Sequence, residues 1–90
     1  MDPKEINVNL FALISMLASA CWQHLGKMPS QTEGEVIKDL EGAKNVIGML
    51  LMLKDKMAGN LTKTEEKLLN DTISALQREL AQESAEDDTL

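Results

Sequence analysis

Large apolar residues recur at Leu10, Leu13, Ile14, Leu17, Cys21 and Leu25, three and four positions apart. That spacing marks one face of an α-helix and predicts a helix over about residues 9–25. Phe11, Ala18 and Trp22 widen the stripe on one flank, and Met16 and Ala20 on the other. What remains is a narrow strip of Ala12, Ser15, Ser19 and Gln23, with no charged residue between Glu5 and Lys27. A helix this apolar is expected to be buried on most sides. Gly26 follows it, where a left-handed residue ends a helix.

A second stripe, from Leu40 and Ala43 through Val46, Ile47, Leu50, Leu51 and Leu53 to Met57, predicts a helix over about 40–58. Asp39 is placed to cap it, since a carboxylate there accepts from an orphan amide of the first turn. Met49 and Met52 fall outside the stripe, which suggests a second packing surface. Gly48 in mid-helix costs about 1 kcal/mol relative to Ala. It either admits a close neighbour or is a tolerated defect. The connector before this helix, "KMPSQTEGEVIKD", is punctuated by Pro29 and Gly34, and its Val36 and Ile37 read as a short extended piece.

The second connector, "AGNLTKTEE", is the most readable part of the chain. Gly59 suits the left-handed C′ position. Thr62 and Glu65 form a capping box, in which hydroxyl and carboxylate each take the other residue's amide. A third helix follows over about 63–82, with Leu68, Leu69, Ile73, Leu76 and Leu80 on one face and Lys67, Asp71, Ser74 and Arg78 on the other. A connector this short makes the last two helices an antiparallel hairpin. The expected fold is all-α, three helices in one domain over residues 9–82, with an N-terminal arm (1–8) and an acidic, disordered tail (83–90).

Composition sharpens this picture. A chain of 90 residues buries only about 60–65% of its unfolded surface, so its core is thin. One Cys allows no internal disulfide, and self-association is the remaining source of support. The net charge is −6, of which Glu83, Glu86, Asp87 and Asp88 supply four. No surface is basic enough to follow a phosphate backbone, which argues against nucleic acid as a partner.

"ISMLASACW" imitates a cleavage site, with small residues ahead of Cys21. Asp2 and Glu5 spoil the positive segment such a leader needs. Ala18 stands where a lipid-attachment site prefers Leu. The apolar core from Leu10 to Trp22 is also shorter than the roughly 20 residues of a membrane span. The helix is therefore expected to belong to the fold, and the protein to be cytoplasmic.

Three blocks, "FALISMLASACWQHLG", "DLEGAKNVIGMLLMLKDKMAGNLT" and "EEKLLN", resemble a bacterial family of small helical proteins, domain of unknown function 1844. The most specific parts are "HLG" and the pattern formed by Lys54, Lys56, Gly59, Asn60, Leu61, Thr62 and Glu65. Trp22 and Gln23 depart from the small or aliphatic residues usual there. The family has no assigned activity, so the resemblance implies no catalytic residue and no cofactor. It implies a small intracellular helical domain that includes the first helix.

Candidate chemistry is sparse. Cys21 and His24, three apart, share a helix face. That spacing is compatible with a thiol activated by imidazole or with half a metal site completed across a two-fold axis. Neither has an orienting acid nearby in sequence or a second Cys or His, and a buried Cys is ordinarily a small hydrophobe. We expect no catalytic residue, no metal and no cofactor. Phe11, Ser15, Ser19, Trp22, Met49 and Met52 are the candidate interface of a homodimer or larger homo-oligomer. The expected role is a non-enzymatic, self-associating interaction or scaffolding module, which another protein could also join. The alternative is a small-molecule or lipid-binding module with an apolar cleft between helices.

Overall fold

A computed structural model of the chain describes residues 2–27 and 38–88. The short extended piece expected at Val36 and Ile37 lies outside the described residues. Three helices are present: α1 (Val8–His24), α2 (Leu40–Lys56) and α3 (Lys63–Asp88). They contact one another as an all-α bundle. Cys21 lies beside Ala43, and Leu10 and Met57 share one cleft, so α2 runs antiparallel to α1. The "GNLT" turn then sends α3 back antiparallel to α2, as the short connector predicts.

The local signals act as the sequence suggests. Asn7 caps α1, its Oδ1 accepting from the amides of Asn9 at 2.9 Å and Leu10 at 3.1 Å. At the other end Gly26 takes a φ of 79°. Its N–H donates to the Gln23 carbonyl while the Lys27 N–H donates to the Trp22 carbonyl. This pair of bonds satisfies carbonyls that the last turn leaves orphaned. Asp39 caps α2 by accepting from the Gly42 amide at 3.1 Å. Gly59 is left-handed, with φ 85°, one residue beyond the C′ position expected of it, because α2 ends at Lys56.

The core comes from one face of each helix: Leu10, Ile14 and Cys21 of α1, Ala43, Val46, Ile47 and Leu50 of α2, and Leu69, Ile73 and Leu76 of α3, closed by Leu25. Two expectations need correction. α1 is not buried on most sides within one chain, since Phe11, Leu13 and Met16 are exposed, and Leu51 of the α2 stripe is exposed as well. Two neighbours cover only part of a helix's circumference. Nor does a disordered tail begin at residue 83. α3 runs on to Asp88, and Glu83 is buried. The physical reason is a set of ion pairs described below. Gly48 has open space where a Cβ would stand, so no neighbour among the described residues requires a glycine there.

Candidate functional site

Cys21 and His24 do not form a pair. The Cys21 thiol is buried in the core and donates to the Ala43 carbonyl at 3.6 Å. Burial pushes its pKa up to about 11, so it stays a thiol near neutral pH. His24 turns instead toward α2, where its Nδ1 lies 3.9 Å from Asp39 Oδ2. Gly42 makes room for this. A Cβ there would stand 2.8 Å from both His24 Nδ1 and Asp39 Oδ2. The glycine thus lets the end of α1 lie close against the start of α2. Among the described residues no group of three or more His, Cys, Asp or Glu is placed to hold a metal ion. Among the described residues no helix is long and apolar enough to cross a membrane.

Each end of the bundle carries a polar junction. At one end the Thr62 amide donates to Glu65 Oε1 at 2.8 Å, and the Glu65 amide donates to Thr62 Oγ1 at 3.1 Å, completing the capping box. The same two side chains also hold the N-terminal arm. Thr62 Oγ1 donates to the Glu5 carbonyl at 2.6 Å, and Glu65 Oε2 accepts from the Asn7 amide at 2.7 Å. Those backbone donors, Thr62 first and Asn7 second, hold the Glu65 carboxyl below its usual pKa. The Pro3 carbonyl accepts from the Thr64 amide and hydroxyl as well. One carboxylate therefore ties the start of α1 to the start of α3. Beside it opens a cleft of about 510 Å³, lined by Ile6, Asn7, Leu10, Met57 and Asn60 among others. The Thr62 and Glu65 side chains on its wall are already engaged with the protein.

At the opposite end, Lys27 and Lys38 flank the undescribed connector. Leu25 and Lys38 form an antiparallel bridge, and the Asp39 amide donates to the His24 carbonyl at 2.6 Å. Glu83 reaches from α3 to both lysines, at 2.7 Å from each ammonium, and Lys27 also meets Glu79 at 3.2 Å. The Glu83 residue is only 4% exposed. The Lys27 and Lys38 ammonium groups lower its pKa from 4.5 to about 2. Because the folded-state pKa is depressed, this pairing stabilises the fold in full above about pH 4.5 and is lost as pH falls toward 2. Glu83→Gln is accordingly expected to be less stable than the native chain near neutral pH. The gap should close as pH falls through that window. Urea unfolding of both proteins across the window checks this, and a gap that stays constant with pH would contradict the assignment.

The six candidate interface residues do not share one face. Gly42 of α2 lies against His24 of α1. Met49, two turns on from Gly42, occupies the same flank of α2, with Met52 one turn further. On α1 the residues stacked back from His24 are Ala20, Met16 and Leu13. On that spacing Met49 faces the same side of the pair as Leu13 and Met16, and Met52 stands further round α2 at its outer edge. Phe11 and Trp22 lie on the other flank of α1, toward α3, with Trp22 half-buried against the core. Ser15 and Ser19 sit on the crest between the two flanks, where with Met16, Ala20 and Gln23 they line a shallow trough.

Sequence reasoning placed Leu13 on the buried stripe, where it is exposed, and did not foresee either polar junction as a whole. The capping box was visible in Thr62 and Glu65. Nothing local indicated that it would also bind an arm 57 residues away.

Comparison with known proteins gives one match. The model of a family described as a domain of unknown function (DUF1844) matches residues 7–82, which take in all of α1 and α2 and most of α3. No curated protein and no solved structure matches the chain.

Proposed function

The chain belongs to the DUF1844 family, a domain of unknown function, and from that premise we propose that it is a non-enzymatic, self-associating interaction module. The observation that carries this reading is the exposed apolar surface of α1 and α2, where Phe11, Leu13, Met16, Met49 and Met52 all face outward. Scattered apolar side chains are ordinary on a protein surface. Here they crowd onto two helices of a small chain with a thin core, and burying them against a second copy would enlarge that core.

The chemistry of Cys21 and His24 favours the same reading, because the thiol is buried and protonated and the imidazole faces Asp39. A cytoplasmic setting belongs to this proposal. Cleavage between Ala20 and Cys21 would remove Leu10 and Ile14 from the core. Sedimentation equilibrium at micromolar concentration tests the proposal. The expected species is a dimer of twice 9.9 kDa, the simplest closed assembly. A compact monomer over the whole concentration range would refute it.

A further inference from the structure

Two antiparallel helices leave two grooves between them, one on each side of the pair. In this bundle α3 fills one groove of the α1/α2 pair. The other is bordered by Leu13 and Met16 of α1 and by Met49 and Met52 of α2, which are 41%, 69%, 49% and 52% exposed. None of the four belongs to the buried core. Resting on the self-association reading above, we infer that this open α1/α2 groove is the dimer interface, and that its occupant is the same groove of a second copy.

Charge selects that occupant. The chain carries a net charge of −6, so two copies repel one another over most approaches. α1 has no Asp, Glu, Lys or Arg along its whole length. On the groove side of α2, Asn45 and Gly48 accompany the methionines, with Glu41 at one end and Lys56 at the other, and an α1/α2 stacking sets both against the uncharged α1 of the second copy. An acidic protein can therefore present this groove to its own copy without setting carboxylate against carboxylate. A strongly charged partner would find nothing here to pair with. A membrane surface would be met by basic residues beside the apolar ones, and α1 has none.

Geometry supports the same occupant. Cys21 beside Ala43 and His24 beside Gly42 fix the register of the two helices. That register brings Met16 level with Met49 and Leu13 level with Met52. A two-fold axis running along the groove, parallel to the helices, then stacks α1 on α2 of the second copy and sets Met16 against Met49 across the seam. This is the self-complementary arrangement that a two-fold interface requires. The two α1/α2 pairs form a four-helix layer, with one α3 on each outer side. Methionine suits such a seam, because its unbranched side chain fills irregular gaps between copies. A stable interface needs about 800 Å² from each partner. The four apolar side chains form its centre, and the trough of Ser15, Ser19 and Gln23 lies beside them as a polar rim.

The test uses three variants of the full chain, Met16→Asp, Met49→Asp and Phe11→Ser, with helicity checked by circular dichroism. All three positions lie outside the packed core, so folding is expected to survive. Sedimentation of the native chain should show a dimer. Both aspartate variants should weaken it at least tenfold, and Phe11→Ser, on the other flank, should leave it within about twofold. A dimer that withstands both aspartates would overturn the groove assignment while leaving self-association intact. Loss of the dimer in all three variants would overturn the single-groove assignment. A native chain that is monomeric throughout would overturn this inference and the self-association reading together.

Discussion

Leu50→Ala is expected to lower the unfolding free energy by about 3 kcal/mol, within the range for a buried Leu truncated to Ala. Leu50 has no exposed surface and belongs to the core cluster that joins α2 to its two neighbours. Removing its three terminal carbons leaves a void that α1 and α3 cannot both close. Native domains are held by about 0.05–0.15 kcal/mol per residue, so a chain of 90 residues has on the order of 5–13 kcal/mol in all. One truncation thus removes a large fraction of the total. Leu51→Ala is the control. Its side chain is exposed, and the expected loss is below about 1 kcal/mol. Urea titration of both variants measures the contrast, and equal losses would contradict the burial assignment. The same titration bears on self-association. If the native state is a dimer, the midpoint of Leu50→Ala should rise with protein concentration, by mass action.

Leu50 and Leu51 also show where the sequence is legible. Both fall on the apolar stripe of α2, yet one is enclosed and its neighbour faces outward. A stripe gives the direction of the core but not the width that two packing helices will cover. Features decided within a few residues were readable: the Asp39 cap, the left-handed Gly26, and the reciprocal bonds of Thr62 and Glu65. Features decided by the relative rotation of helices were not. Phe11, Trp22, Met49 and Met52 look alike as apolar residues off the main stripes. Only the contact of His24 with Gly42 shows that Met49 adjoins Met16, with Phe11 on the far flank. Glu83 failed for a different reason. Its neighbours Glu86, Asp87 and Asp88 give the segment the composition of a solvated tail. The two lysines that bury Glu83 flank a connector far away in sequence.

Thr62→Val is expected to cost about 2 kcal/mol, combining a lost helix cap of about 1 kcal/mol with a lost hydrogen bond to the arm of similar size. Valine keeps the shape of threonine and removes only the polar function. The buried Glu65 amide and the Glu5 carbonyl both lose their partner. The Thr62 amide still donates to Glu65 Oε1, so the capping box is halved rather than abolished. Thr62→Ser keeps the hydroxyl and should recover most of the loss. Hydrogen exchange separates this effect from simple destabilisation. The Thr64 and Asn7 amides, which donate to the Pro3 carbonyl and to Glu65 Oε2, should lose protection more than the α2 amides do. Equal loss across α2 and the arm would mean that Thr62 acts only on global stability. Selective loss would show that one hydroxyl couples the arm to the start of α3. The entry to α1 hangs on the same junction through Asn7, which caps that helix. Freeing the arm should therefore fray the first turn of α1, which leads into the exposed apolar surface at Phe11 and Leu13.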